Sequence, residues 1–455
     1  MPIRDLSLIC FVVALLPVCV ARPFVGVLAW AWISFMNPHR LAWGAAWNFP
    51  FALLVGSATL AGFVLTGEPK RVPRTVGTAL IVALWLWMTV STVFAHNPQG
   101  AHAAWAIRSK MFLMLFVSLA LVRDRERLKV LTLVVALSIG FYGLKGGLFV
   151  LATGGRYHVE GPDISMLAGE NHLGVALSMT LPLLYYLRRE ARQRTLQHLL
   201  LITFALSIPA VVGTYSRGAL LSLGSVLVML AVKSRQKVIA GLLCATCALG
   251  AVYLLPQEWT SRMDTIATYQ TDSSATRRID AWILAWRLGL ARPILGWGPE
   301  AMEDEKLYDR FYPDSPSRAD VHSAYFQILS EGGFVTLGIW LGLIVWALVR
   351  LRWLETAFRG GEYGWIANYA SMFQVGLVGY MIGAAFLEQG FFDLLYYFVG
   401  LTVVLVELVR KQVDTVRVPA IPLPKSVACR LSDGRQPGVS DAGVAPPHPL
   451  YVPVR

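Results

Sequence analysis

Thirteen apolar runs close to membrane-spanning length, joined mostly by short loops, constrain this chain more than any other feature. They fall at 6–21, 24–36, 46–66, 76–95, 103–122, 128–151, 171–187, 197–213, 217–232, 238–255, 322–349, 366–386 and 390–409. With 56% hydrophobic and 15% charged residues, the chain is too apolar for an ordinary soluble domain, in which about a quarter of residues are charged. The expected fold class is therefore an all-α polytopic membrane protein with about 12 transmembrane helices. The first two runs are short and share the Arg22-Pro23 break, and are expected to cross effectively once, with the N-terminus inside.

The Lys and Arg residues set the orientation. Lys70, Arg71 and Arg74 mark one loop; Arg123, Arg125, Arg127 and Lys129 the next but one. Then come Arg188, Arg189, Arg192 and Arg194; Lys233, Arg235 and Lys237; Arg350, Arg352 and Arg359; and Arg410 with Lys411. Every second loop is basic, which puts these loops in the cytoplasm and the intervening ones outside. The net charge of +12 is thus an orientation signal, and no nucleic-acid partner is implied.

The domain reading follows: N-terminal transmembrane helices over 1–255, one long periplasmic loop over 256–320, C-terminal transmembrane helices over 321–410, and a disordered cytoplasmic tail over 411–455. The tail is rich in Pro, Val, Gly, Ser and Arg without periodicity, and cannot bury enough surface to offset its ordering entropy. Met1 to Ala21 resembles a signal peptide but is followed at once by further apolar runs, so an uncleaved first helix is expected. Cys244 and Cys247 form a C-x-x-C without a partner pair, inside an apolar run, and read as small packing residues.

Cations on the outward side run against the charge bias and so mark candidate sites. Arg217 sits in Thr214-Tyr215-Ser216-Arg217-Gly218-Ala219, a hairpin turn where it either snorkels to lipid phosphates or holds an anionic ligand. Arg156 lies in the turn-rich Gly154 to Pro162 segment, as a solvated loop charge or a ligand. Arg277 and Arg278 precede Ile279, Trp282, Ile283, Trp286 and Leu290, whose spacing predicts an amphipathic helix lying in the outer interface. That helix would hold two guanidinium groups at phosphate depth, where planar bidentate pairing is available.

His322 starts the next apolar run, either as a packed interfacial residue or as a general base for a hydroxyl acceptor. Phe326, Leu329 and Gly333 would share its helical face, while Glu331 would lie about 13 Å deeper on the opposite face, bonded to a neighbouring helix. Gly332 and Gly333 allow close approach of another backbone. Glu303-Asp304-Glu305 is a solvated acidic run or, as a rival, a divalent-ion chelate. No phosphate-binding glycine loop ending in Lys-Ser or Lys-Thr and no nucleophile elbow occur.

Taken together, Ser216-Arg217-Gly218-Ala219, Arg278 four before Trp282, Gly296-Trp297-Gly298, and His322 nine before Glu331-Gly332-Gly333 resemble the O-antigen ligase superfamily over most of Met1 to Arg410. Asn37-Pro38-His39-Arg40 and Gly161-Pro162 are similar to its exosortase-associated O-glycosylation ligase branch. Asn171-His172 departs from the two asparagines of that branch, which leaves this pair without a role.

The resemblance implies a GT-C type, metal-independent glycosyltransferase of the bacterial inner membrane. It would need no cofactor, and would move a glycan from undecaprenyl pyrophosphate to a hydroxyl of the lipid A core, or to another hydroxyl acceptor, at the periplasmic face. By the same resemblance His322 is the base. Arg217 and Arg278 bind the pyrophosphate, with Arg156 and Arg277 as further ligands and Ser216, Gly218, Trp282, Glu331 and Gly332 in support. A polymerase of the same superfamily and a lipid-linked glycan transporter are the alternatives.

Overall fold

The structure, a computed structural model, describes residues 3–234, 273–315 and 320–415. The expected span at 238–255, the loop residues before 273 and the cysteine pair at 244 and 247 lie outside the described residues. The helices are α1 (Ile3–Ala21), α2 (Pro23–Met36), α3 (Phe51–Leu65), α4 (Val76–Val93), α5 (Pro98–Leu121), α6 (Arg125–Thr153), α7 (Gly169–Glu190), α8 (Arg194–Val212) and α9 (Arg217–Lys233). After these come α10 (Ser273–Ala291), α11 (Glu305–Phe311), α12 (Ala324–Ala357), α13 (Gly364–Gly383) and α14 (Asp393–Thr415). No strand occurs among the described residues.

Seven described helices are long and apolar enough to cross a membrane: α1, α4, α5, α6, α8, α12, and α13 with its 3₁₀ extension to Phe386; α2 and α3 are shorter apolar helices. The central helices are α7 and α14. Leu173 to Leu184 of α7 and Leu394 to Leu405 of α14 are buried without a break, and protein encloses them on every side. That setting removes the need for a uniformly lipid-like surface, which only the outer helices must present. α14 continues to Thr415, past the expected start of the tail at 411; 416–455 lie outside the described residues.

Both ends of the bundle are defined by contacts between loops. At one end Glu68 meets Arg127 and Arg123, Glu190 pairs with Arg125 at 2.8 Å and accepts from Asn368 at 2.7 Å, and Lys233 bonds Gln374 at 2.7 Å and pairs with Glu355. These are the basic loops read from the sequence. At the other end the amide of His96 donates to Trp297 O at 2.9 Å, Tyr215 OH donates to Gly155 O, and the amide of Gly390 donates to the side chain of Gln327 at 2.9 Å. The alternation of basic and non-basic loops is thus physical.

The first two helices depart from the expectation of a single effective crossing. Asp5 Oδ1 accepts from the amides of Gly44 and Ala46 at 3.2 and 3.0 Å, so α1 begins at the end where α2 stops. At their other end Gly62 of α3 lies against the backbone of Cys19 and Val20. α1 and α2 are therefore two antiparallel helices, and α1 starts at the non-basic end rather than inside. Asp5 Oδ1 thereby satisfies two amides of the α2–α3 connection, a tie that the charge count of the short N-terminal segment does not register.

Candidate functional site

The site lies at the non-basic end and is organised by a break in α12. Gly333 has φ +68° and ψ −171°, so the segment from Ala324 to Gly332 is a separate half-helix of about 13 Å. The break frees the amide of Phe334, which donates to Pro293 O at 2.7 Å. A Cβ at Gly333 would stand 2.5 Å from that same oxygen. At Gly296, φ +65°, a Cβ would meet the Glu331–Gly332 peptide at 2.5 Å. Glycine is needed at both positions for backbone conformation and for contact between the chains. Gly332 leaves room for the Thr336 side chain, whose hydroxyl donates to Gly332 O at 2.7 Å.

α10 runs alongside this half-helix. Trp282 stacks on Phe326 at 5.4 Å, Gly289 faces Leu329, and Pro293 reaches Gly333, so both segments advance in the same direction from the bundle end. The chain then turns at Pro293 and packs back against α4's end at Trp297, which is buried and whose carbonyl accepts from the His96 amide. The apolar face read from the periodicity lies mostly outward, and a second face of small and apolar residues packs on the bundle. Ala281, Leu284, Ala285 and Leu288 are buried, whereas Ile279, Trp286 and Leu290 are exposed. Small residues and Gly289 let the helices come close, and in a membrane setting the outward face is apolar too.

His322 precedes the helix instead of sharing its face. Its φ is +38°, Ser323 is the N-cap and α12 begins at Ala324, so the expected helical alignment with Phe326, Leu329 and Gly333 does not hold. The peptide ahead of it is fixed from α10, because Trp282 Nε1 donates to Val321 O at 2.8 Å. Burial, with Arg278 and to a lesser extent Arg277, holds the His322 imidazole below its ordinary pKa, and Asp320 opposes them. His322 and the first turn of α10 are therefore electrostatic neighbours. Arg277 is exposed and Arg278 half-buried.

Arg217 opens α9 at the same end of the bundle. Ser216 caps the helix, its Oγ accepting from the Ala219 amide at 3.1 Å, and Tyr215 has φ +58°. Gly218 packs on Phe386, and Gly174 of α7 packs on Ala219 and Thr214. Two residues before Gly174, His172 lies within electrostatic range of His322. α7 thus stands between the Arg217 turn and the His322 segment. The exposed Arg156 belongs to a loop held on the Arg217 turn, since Val159 N donates to Gly213 O at 2.8 Å and the His158 ring lies 4.4 Å from that of Tyr215.

Glu331 bonds a neighbouring helix, as expected, and the partner is Arg108 of α5. The guanidinium is bidentate: Nη2 meets Oε1 at 3.0 Å, and Nη1 meets Oε2. Arg108 was not singled out from the sequence, although an arginine inside an apolar run is itself a signal. Around it the turn at 387–392 brings in Glu388, whose carboxyl is pushed up to about 8 by burial and by Glu331, Asp320, Glu300 and Glu303. Glu300 is pushed up to about 7 by burial and its hydrogen bond with Glu303.

The acidic run at 303–305 does not converge as a chelate. Asp304 caps α11, accepting from Lys306 N at 3.0 Å, and faces His96 Nε2 at 3.4 Å, while Glu303 pairs with Glu300. Among the described residues, His158, Glu160 and Glu170 could hold a cation, with ligand atoms all within 4.8 Å of one another. The His-x-Glu spacing in the 154–162 segment was their only trace in the sequence. A cleft of about 500 Å³, lined by Arg22, Glu68, Arg123 and Arg127 among others, opens at the basic end, away from these groups.

A helical bundle with several spanning segments, sorted into one basic end and one end carrying arginines and histidines around a broken helix, defines a multi-pass membrane protein with its site at the non-basic end. Residues 202–341 match a family model described as O-Antigen ligase, and residues 3–192 match one described as a family of unknown function, DUF5935. This ligase-family domain supports membership of the O-antigen ligase superfamily. The ligase match contains Arg217, Arg278, His322 and Glu331; Arg108, Arg156 and His172 fall in the other segment. No curated protein matches the chain.

Proposed function

We propose that this protein is an O-antigen ligase of GT-C type, transferring a glycan from undecaprenyl pyrophosphate to a hydroxyl of the lipid A core at the periplasmic face of the bacterial inner membrane. One observation carries the reading: His322 lies in the field of Arg278 and Arg277, at the end of the bundle opposite the basic loops and inside the ligase-matched segment. An imidazole held below its ordinary pKa is neutral at pH 7, the form a general base needs. It takes the proton of the acceptor hydroxyl as that oxygen attacks the anomeric carbon. The bond to pyrophosphate breaks with its electron pair on the leaving oxygen, and the configuration inverts.

A departing pyrophosphate needs charge neutralisation more than a proton, and Arg278, Arg217, Arg277 and Arg156 supply it. Trp282 supports the base through the Val321 carbonyl; Ser216 and Gly218 support Arg217 by capping and by close packing. The α10 segment shields the reacting groups from water, which would otherwise compete as acceptor.

The test is transfer by the purified chain from a lipid-pyrophosphate glycan to rough lipopolysaccharide. Product on lipopolysaccharide supports the ligase. Product on a protein hydroxyl makes it an O-glycosylation ligase, and a ladder from donor alone makes it a polymerase. A second reading, a lipid-linked glycan transporter, draws on the broken α12 and the Arg108–Glu331 pair, features of transporter cores. Release of no lipid pyrophosphate with any acceptor would favour it.

A further inference from the structure

The half-helix from Ala324 to Gly332 carries the base at its upper end and an ion pair at its lower end. Only Gly333 joins it to the rest of α12, and the left-handed glycine interrupts the helical ladder there. Its orientation is therefore set by tertiary contacts: the amides of Trp297 and Gly298 donate to Ser330 O and Glu331 O at 2.9 and 2.8 Å, and side chains supply the rest. Arg108 is in contact with every part that surrounds it. Its guanidinium forks onto Glu331 of the half-helix, stands 3.6 Å from Glu300 on the segment returning from α10, and lies 4.1 Å over the Phe391 ring in the α13–α14 turn.

The same carboxylate extends the network. Glu331 Oε1 accepts from Gln327 Nε2 at 3.1 Å, and Gln327 Oε1 accepts from Gly390 N at 2.9 Å. The Glu331 carbonyl accepts from Ser91 Oγ of α4 and from the Gly298 amide, both at 2.8 Å. The Arg108 side chain is 10% exposed and that of Glu331 is 7%, so water cannot substitute for either partner. A lysine in place of Arg108 would keep the charge and lose the fork that fixes rotation of the half-helix.

We infer that Arg108 is a positioning residue for the base, holding the half-helix so that His322 stays against the first turn of α10. This rests on the proposed transfer reaction but adds a requirement that the reaction alone does not contain. Arg108 touches neither reacting group; it acts through Glu331, nine residues beyond His322. Its loss should change turnover and the environment of the imidazole, while the arginines that grip the donor keep their places.

The experiment uses the full chain in lipid nanodiscs, with a lipid-pyrophosphate glycan as donor and the acceptor on which the wild type is active. Turnover, donor KM and the pH profile are measured for wild type, Arg108→Lys, and the double variant Arg108→Gln with Glu331→Gln. The double variant leaves no unpaired buried charge, so its folding survives where a single truncation could unfold the chain. The expected result is a fall in kcat of about 10- to 100-fold for both, with KM within about threefold, the pattern of a mispositioned catalytic group.

The acid limb of kcat/KM should also move to higher pH, because an imidazole withdrawn from Arg278 and Arg277 regains its ordinary affinity for protons. Wild-type kcat and an unmoved acid limb in a folded variant would overturn the inference. A rise in KM with kcat unchanged would likewise overturn it, by making Arg108 part of donor binding. Absence of turnover in the wild type would instead defeat the transfer reading, so the two failures are distinguishable.

Discussion

Gly333→Ala isolates the break on which the site's geometry depends. Alanine at φ +68° and ψ −171°, a region essentially confined to glycine, carries strain of about 1–3 kcal/mol. Its methyl group would stand 2.5 Å from Pro293 O, well inside contact distance, so either α10's end or the half-helix must move. Moving them breaks the 2.7 Å bond from Phe334 N to Pro293 O, which costs a further amount of about 0.5–1.5 kcal/mol. The total is about 1.5–4.5 kcal/mol, enough to drive α12 towards a continuous helix and to release the end of α10. Gly338→Ala, in the same helix with nothing within 4 Å of its would-be Cβ, is the control and should be neutral or slightly stabilising. The assay is thermal unfolding in detergent with transfer measured in parallel. A lower midpoint and lost transfer for Gly333→Ala alone is the expected result. Wild-type stability for Gly333→Ala, or equal damage from Gly338→Ala, would refute the reasoning.

Three further outcomes follow from the site. Arg278→Ala and Arg217→Ala should each weaken donor binding and turnover together, by about 10-fold or more, measured by donor titration and initial rates. The acid limb of kcat/KM should have its midpoint below 6.5, because a depressed imidazole pKa keeps His322 neutral and active until the pH falls through that lowered value. A limb centred above 6.5 would remove His322 as the titrating base. Transfer should survive EDTA; loss restored by a divalent ion, and abolished by Glu160→Gln, would assign a metal to the His158, Glu160 and Glu170 group.

Much of the architecture was legible because two signals repeat along the chain. Run length against bilayer thickness located most helices, and alternating basic loops predicted which ends would meet, as Glu68 with Arg127 and Glu190 with Arg125 bear out. The Glu331 tie to another helix was legible for a similar reason, since a carboxylate inside an apolar run needs a partner. What failed depends on tertiary surroundings. For α10 the periodicity picked out the outward apolar residues Ile279, Trp286 and Leu290, but not the packed face of Ala281, Leu284, Ala285 and Leu288. His322 was phased as helical because nothing in its neighbours announces a left-handed backbone. Arg108 and Glu331 are 223 residues apart, and no local pattern pairs them. The hairpin of α1 and α2 hinges on Asp5 reaching the amides of Gly44 and Ala46, a contact that charge counting cannot see.

The most direct test of the account is His322→Ala, assayed for glycan transfer and for donor binding on the same purified material. Removing a general base predicts a loss of transfer of about 10²- to 10⁴-fold with donor affinity nearly unchanged, since the arginines remain. Full transfer activity in a folded His322→Ala variant would contradict it.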